Sequence, residues 1–97
     1  MTFNQIINTN KPVLIDFYAN WCQPCKMVSP ILKQVKDNLG EDIKIVKINV
    51  DKDPSISAKY SIRSIPTLIL FKNGNIEWNK AGVASASEII KKVKETI

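Results

Sequence analysis

A run of six residues near the N-terminus constrains the fold of this 97-residue chain more than any other feature. Positions 13 to 18 read Val-Leu-Ile-Asp-Phe-Tyr, so both alternating faces of an extended segment are apolar apart from Asp16. A strand that is apolar on both faces is typical of the centre of a sheet covered on each side by another layer. The segment 13–18 is therefore predicted to be a central, buried strand.

The rest of the chain predicts further strands alternating with helices. Strands are expected over 43–50, 67–71 and 76–80, and Asn73-Gly74 is a strong hairpin signal between the last two. Helices are expected over 2–8, over a segment that ends at Gly40, over 54–60 after Asp53 as N-cap, and over the C-terminal segment. The first two strand connections are helical crossovers and the last is a hairpin. An α/β fold follows, with a mixed sheet flanked by helices on both faces.

Two of these helices have an apolar face that the sequence spacing defines. The helix before Gly40 is expected to bury Val28, Ile31, Leu32, Val35 and Leu39. In the C-terminal helix Ser85 and Glu88 fit a capping box, and the residues expected to face inward are Ile89, Ile90, Val93 and Ile97. Trp78 and Tyr60 are expected to be packing residues.

The composition restricts the chemistry, because the chain has two cysteines and no histidine. A Ser-His or Cys-His nucleophile, a His-ligated metal and imidazole acid–base catalysis are thereby excluded. The net charge is +5, but only Lys91, Lys92 and Lys94 cluster in sequence, on the amphipathic C-terminal helix. Aromatic residues do not alternate with the basic ones, so nucleic-acid binding is not predicted.

The length and the N-terminal segment suggest one domain, residues 1–97, in the cytoplasm. Ninety-seven residues fit one domain. The first ten residues have neither the basic nor the apolar region of a signal peptide, and no run of about 18 apolar residues is present, so no membrane association is expected. A mature domain cut from a longer exported precursor would have the same sequence.

The two cysteines lie in Trp21-Cys22-Gln23-Pro24-Cys25, between the first strand and the helix that follows it. A helix N-terminus stabilises a thiolate, and Cys22 at the very start gains most. We therefore interpret Cys22 as the nucleophile and Cys25 as the resolving thiol, with Cys25 the more buried of the two. Pro24 suits the first helical turn, where its missing N–H costs little.

Other readings of a cysteine pair remain open from the residues alone. A structural zinc site needs four ligands, and this chain offers two thiols and no imidazole. A structural disulfide across so short a loop removes little unfolded-state entropy. A two-thiolate Cu(I) carrier fits the softness of the ligands. No resident metal or cofactor is expected.

In several segments the chain resembles the thioredoxin family. The segment 16–26 is similar to the family's active-site segment, and 63–68 to its cis-proline loop. Lys72-Asn73-Gly74 resembles the family's hairpin, and Ala81-Gly82-Val83 the glycine loop beside the site. The resemblance implies a thioredoxin fold and a protein-disulfide reductase that exchanges disulfides through Cys22 and Cys25. Its implied partners are protein disulfides and an NADPH-dependent thioredoxin reductase.

The resemblance also implies roles for further residues. The Ile65-Pro66 bond should be cis and should face the cysteines. Asp16, whose burial in an apolar strand should raise its pKa, should exchange a proton with Cys25, and Lys47 should pair with Asp16 beneath the site. A buried ion pair without a catalytic task is the alternative. The residues implied to contact substrate are Trp21, Gln23, Pro24, Ile65, Pro66, Gly82 and Val83.

The chain departs from the family pattern at several positions. Gln23, Tyr18 and Ser64 stand where the family commonly has Gly, Trp and Gly. About ten residues precede Pro12, too few for the family's opening strand and a full helix, so four strands are expected, with five as the alternative, and 43–50 should lie nearer an edge. The competing functions are a glutaredoxin-like enzyme recharged by glutathione and a redox-independent binding module. The chain is expected to be monomeric.

Overall fold

The structure, a computed structural model, describes residues 2–97. Its strands are β1 (Val13–Tyr18), β2 (Lys44–Asn49), β3 (Thr67–Lys72) and β4 (Asn75–Ala81). Its helices are α1 (Phe3–Ile7), α2 (Gln23–Leu39), α3 (Pro54–Lys59) and α4 (Ala86–Thr96), with one 3₁₀ turn at Gly40–Asp42. The predicted order of elements is confirmed.

The four strands form one mixed sheet in the order β2-β1-β3-β4. β1 runs parallel to β2 and antiparallel to β3, and β3 forms a hairpin with β4. Asn73 and Gly74 at the hairpin turn have φ of 54° and 79°, a left-handed conformation that favours these two residue types. The predicted central strand is confirmed, and β2 lies at an edge, as expected.

Helices cover both faces of the sheet, and a separate apolar core lies under each. Leu14 belongs to the core that α2 and α4 cover, whereas its neighbours Val13 and Ile15 belong to the core beneath α1 and α3. Side chains alternate along a strand, so Asp16 lies on the same face as Leu14. The carboxyl group of Asp16 is thereby directed towards the α2 side, where the cysteines are.

Three details of the helix ends differ from the sequence prediction. Ile97 is 64% exposed rather than inward, because α4 ends at Thr96 and Ile97 is no longer held on its buried face. Ser85 accepts a hydrogen bond from the N–H of Glu88 at 3.1 Å, but the Glu88 carboxylate pairs with Lys80 at 2.9 Å instead of completing the capping box. Asp53 is the N-cap of α3, as predicted, but its side chain makes no capping hydrogen bond.

The predicted packing residues lie where expected. Tyr60 contacts Phe3 and Phe71 with ring centroids 5.5 and 5.4 Å apart, and Trp78 packs against the core beneath α2 and α4. Ile89 and Val93 of α4 are fully buried, and Ile90 is half-buried.

None of the helices among residues 2–97 has the length and apolar character needed to cross a membrane.

Candidate functional site

The two cysteines lie at the N-terminus of α2 and are joined as a disulfide. Cys22 is the N-cap residue, with φ −87° and ψ 111°, and its Sγ accepts the backbone N–H of Cys25 at 3.2 Å. That N–H is one of the helix's donors without an intrahelical partner. Pro24 lies in the first turn and has no N–H to satisfy. The helix terminus therefore directs a hydrogen-bond donor and partial positive charge at the sulfur of Cys22.

Both cysteines are buried, which corrects one prediction. Cys22 is 3% exposed and Cys25 5% exposed, so Cys25 is not the more buried of the two. They form a small cluster with Ala19, against which Tyr18, Val50 and Ile65 pack. These neighbours come from the ends of β1 and β2 and from the loop before β3. They cover Cys22 as completely as the helix covers Cys25.

Asp16 lies beneath the disulfide in an apolar setting. Its side chain is 1% exposed, and its Oδ1 has no hydrogen-bond partner among the described residues. Burial raises the pKa of Asp16 from 3.8 to about 6, and the positive charge of Lys47 partly opposes this rise. Asp16 and Cys25 both line a cavity of about 190 Å³. That cavity is large enough to hold water.

Lys47 is opposite Asp16 in the β1–β2 register, but its ammonium group is held elsewhere. Lys47 Nζ donates to Ser29 Oγ of α2 at 2.6 Å and lies 5.7 Å from the centre of the Tyr18 ring. No ion pair within 4 Å joins Lys47 to Asp16 in the described part of the chain. Lys47 therefore acts on Asp16 through its charge and not through a direct contact.

The loop before β3 lies beside the cysteines. The Ile65–Pro66 bond is cis, as the resemblance implied. Pro66 is buried, and its carbonyl accepts the N–H of Gly82 at 2.7 Å, which joins the loop to the end of β4. Val83, the next residue, packs against the core beneath α2 and α4. Gly82 and Pro66 are thus brought together, whereas Val83 is partly withdrawn into the core.

Trp21 is the most exposed large apolar side chain of the described residues, at 69%. Its indole Nε1 donates to Asp51 Oδ2 at 2.9 Å, which fixes the orientation of the ring. Gln23 and Pro24 beside it are also exposed. The exposed Trp21 agrees with a role at the surface and not in the core.

A cavity of about 140 Å³ adjoins Trp21 and includes residues that sequence reasoning did not assign to the site. Ile65 was expected there; the additional lining residues are Val50, Ile62, Arg63 and Ser64. One signal could have found Asp51 and Val50. They follow β2, and parallel β1 and β2 bring their carboxyl ends to the same edge of the sheet as Trp21. Arg63 and Ser64 belong to the segment 63–68 that resembles the cis-proline loop, whereas Ile62 carries no comparable sequence signal.

Comparison with known proteins gives one consistent family. The Thioredoxin family model matches residues 1–95. A thioredoxin of Rickettsia bellii is 40% identical over 93 residues, covering 96% of this chain and 89% of that protein. A thioredoxin of Acidithiobacillus ferridurans is 43% identical over 84 residues, covering 87% and 78%. Thioredoxin Y1, chloroplastic, of Arabidopsis thaliana is 41% identical over 92 residues, covering 95% and 54%.

Solved structures give the same result. The structure of thioredoxin-2, a component of malaria parasite protein secretion machinery, superposes with a TM-score of 0.85 at 32% identity, covering 89% of this chain and 84% of that one. A second malarial protein superposes with a TM-score of 0.84 at 32% identity, covering 91% and 99%. The predicted fold is confirmed by these neighbours, and the glutaredoxin-like and binding-module alternatives are not favoured.

Proposed function

Since this chain belongs to the thioredoxin family and is a protein thiol-disulfide oxidoreductase, we propose that it works as a reductase. The Cys22 thiolate attacks one sulfur of a substrate disulfide, and the other substrate sulfur leaves with the bonding electron pair. Cys25 then attacks Cys22 in the mixed disulfide and releases the second substrate thiol. Two electrons pass to the substrate, and the Cys22–Cys25 disulfide is formed.

The position of Cys22 as the N-cap of α2 carries this assignment of roles. Its Sγ accepts the N–H of Cys25, so a negative charge on Cys22 is stabilised by a hydrogen bond and by the helix terminus. Cys25 Sγ lies one turn further into the helix, where this effect is weaker. Cys22 is therefore the better attacking group and also the better leaving group when Cys25 resolves the mixed disulfide.

Asp16 fits the proton transfer that the second step needs. Cys25 must lose its proton before it attacks, and Asp16 lines the same cavity with one unpartnered carboxylate oxygen. A carboxyl group with a pKa of about 6 can accept and return a proton near neutral pH. Lys47 adjusts the charge balance of this cavity from its position on Ser29.

Protein substrates would approach over the surface around Trp21 and the cis-proline loop. The exposed ring of Trp21 and the residues beside it, Gln23 and Pro24, flank the disulfide on one side. Ile65 packs against the cysteines, and Pro66, which follows it, accepts the N–H of Gly82; we propose that these three residues bound the substrate surface on the other side, with Val83 behind them. An extended substrate segment would lie against the backbone of the loop at Ile65–Pro66. Bound there, it would present its disulfide to Cys22.

The reductase role implies a source of electrons and a compartment. We propose that an NADPH-dependent thioredoxin reductase recharges the chain, which then serves in electron transport and cell redox homeostasis. A reducing compartment such as the cytoplasm keeps substrate thiols reduced. We further propose that residues 1–97 act as one domain and as a monomer, since lysines at the free edge of β2 oppose pairing with a second copy.

Trapping of the mixed disulfide tests the roles of the cysteines. Cys25→Ser should form a stable mixed disulfide with insulin whose disulfides are intact, because the resolving thiol is missing. Cys22→Ser is the matched control and should trap little. Non-reducing electrophoresis and mass spectrometry measure both adducts. Equal trapping by the two variants would contradict the assignment.

A second experiment tests Asp16. Asp16→Asn should slow resolution by Cys25 while first attack by Cys22 remains largely intact, because only the second step uses the proton acceptor. Stopped-flow kinetics with a substrate disulfide separates the two steps. Asp37→Asn, which removes a carboxylate from the exposed side of α2, is the control. Unchanged rates of both steps in Asp16→Asn would remove Asp16 from the mechanism.

A further inference from the structure

We propose that the free edge of β2, with the lysines around it, docks an acidic, extended segment of a partner protein. This edge is built from residues other than the two cysteines and the substrate surface around Trp21. The inference goes beyond the proposed reductase activity, and either can fail without the other.

The direction of the backbone groups of β2 follows from two hydrogen bonds. The N–H of Lys44 donates to the carbonyl of Pro12 at 3.0 Å, and the N–H of Val50 donates to the carbonyl of Tyr18 at 2.9 Å. Both bonds run towards β1, which is the only strand that pairs with β2 among residues 2–97. In a parallel strand successive residues direct their backbone groups to opposite sides. The odd-numbered residues of β2 therefore face the free edge.

Some of these edge groups are already paired, and the remaining ones define the site. The carbonyl of Ile43 accepts from Lys36 Nζ at 2.7 Å, and the carbonyl of Asn49 accepts two N–H groups of the following turn. The N–H and carbonyl groups of Ile45 and Lys47 have no such partner in the described chain. They offer two donors and two acceptors to one added strand, which is the basis of strand addition in peptide recognition.

The charge beside this edge selects the partner. A groove of about 480 Å³ runs between β2 and α2, and five lysines line it against a single carboxylate, Glu41. Asp37 pairs with Lys33 at 3.2 Å, and Glu41 lies 3.7 Å from Lys11, so both acids reduce the positive charge without balancing it. The lysines come from the segment before β1, from α2 and from β2: Lys11, Lys33, Lys36, Lys44 and Lys47.

These lysines argue against a second copy of this chain as the occupant. Lysine on an edge strand is a common protection against pairing of identical edges, because it brings like charges together. The same charges attract a strand that carries Asp or Glu. The half-buried Ile45 at the floor of the groove gives an acidic segment apolar surface to cover, and Leu32 beneath it is already buried at 4% exposure. An acidic strand would thus pair with the free backbone groups of β2, complement the lysine charges and cover the apolar floor of the groove.

The probe is the capped peptide Glu-Val-Glu-Val-Glu-Val-Glu, whose glutamates share one strand face. The test pairs two double variants that lower the net charge equally. Lys33→Gln/Lys44→Gln removes charge from the groove, and Lys91→Gln/Lys94→Gln removes it from α4. The first should weaken binding by about three-fold or more, given that exposed ion pairs are weak individually, and the second should change it little. Calorimetry at low and at physiological salt measures the affinity.

A backbone measurement distinguishes strand addition from charge attraction alone. Amide hydrogen exchange of the full-length chain should slow at Ile45 and Lys47 when the peptide binds, whereas exchange at residues paired with β1 should not change. The same peptide with every backbone nitrogen methylated keeps its charge but has no backbone N–H to donate. It should bind distinctly more weakly.

Several outcomes would overturn the proposal. Equal weakening of binding in the two double variants, or equal binding of the N-methylated and unmethylated peptides, would show that net charge alone explains the binding. No binding, with unchanged circular dichroism and disulfide reduction, would mean that the lysines only protect the edge. Self-association in sedimentation that Lys33→Gln/Lys44→Gln strengthens would assign the edge to a second copy. Tighter binding of oligothymidylate than of the peptide at the same lysines would assign it to nucleic acid.

Discussion

The burial of Asp16 lowers the stability of the folded chain at neutral pH, and the same burial suits the residue to the proposed proton transfer. Its carboxyl group is 1% exposed, one of its oxygens has no partner in the described chain, and no close cation compensates it. Such a group is costly when ionised, because an apolar environment replaces its hydration. The cost appears as a pKa of about 6 instead of 3.8. Between these two values the unfolded chain releases the proton of Asp16 while the folded chain still holds it.

The stability of the Asp16→Asn variant is predicted from this difference. Because the folded pKa is raised, ionisation of Asp16 makes the wild type less stable as the pH rises from about 4 through about 6, and the penalty is complete above that range. Relative to wild type, the variant should gain roughly 1–3 kcal/mol between pH 3.5 and pH 7.5. Urea unfolding of the oxidised proteins at both pH values measures this. A relative stability that is independent of pH would contradict the prediction.

The residue scale also shows where sequence reasoning reached its limit at the site. The CxxC spacing, the interrupting Asp16 and the exposed Trp21 were all identifiable, because each stands out against its neighbours in sequence. The contacts of Lys47 with Ser29 and of Trp21 with Asp51 join residues 18 and 30 positions apart. Such contacts depend on the packing of α2 against the sheet and on the strand register. Neither is encoded in a local pattern.

At the scale of elements, local signals predicted most of the fold. Residues 13–18, apolar on both faces, predicted β1, and Asn73-Gly74 predicted the hairpin. Each signal is strong enough to decide the local conformation alone. The errors lie at helix ends, where several partners compete for one group. Glu88 could close a capping box with Ser85 or pair with Lys80, and the structure has the pair with Lys80. That choice depends on β4, which sequence reasoning cannot place beside α4.

The remaining cap of α4 gives a prediction about that helix. Ser85 Oγ accepts the N–H of Glu88 at 3.1 Å, and Ser85→Ala leaves this donor without its partner. The free energy of unfolding should fall by about 1 kcal/mol, the usual effect of losing an N-cap. Ser55→Ala, at the second residue of α3 and exposed, is the matched control and should change stability by less than about 0.5 kcal/mol. Chemical denaturation measures both, and equal losses would show that Ser85 does not act as a cap.

At the scale of the whole molecule, folding changes the meaning of the +5 charge. In sequence only the lysines of the C-terminal helix cluster. In the structure a second group gathers between α2 and the edge of β2, from the segment before β1, from α2 and from β2. Charge that looked evenly scattered therefore becomes local. The docking proposal therefore depends on the packing of α2 beside β2, which composition does not show.

The direction of electron flow is likewise a property of the whole molecule, because it depends on the relative stability of the oxidised and reduced folds. The oxidised fold buries a neutral disulfide, with Cys22 3% and Cys25 5% exposed. The reduced fold must hold the Cys22 thiolate in the same buried setting, and the start of α2 offsets only part of that cost. A loop this short removes less unfolded-state entropy than a longer one, but its loss still gives the unfolded chain about 2 kcal/mol of freedom in the chain-entropy model.

The oxidised chain should therefore be more stable than the reduced chain, by about 2 kcal/mol or more at pH 7. Each 1.4 kcal/mol of this difference lowers the reduction potential of the folded couple by about 30 mV relative to the unfolded couple, which favours donation of electrons to substrates. Denaturant unfolding with and without a reductant measures the difference, and the Cys22→Ser/Cys25→Ser variant shows any effect of the reductant itself. A reduced form that is more stable than the oxidised form, as in a strong oxidant, would contradict the proposal that electrons flow to substrates. A directly measured reduction potential near −120 mV would contradict it independently.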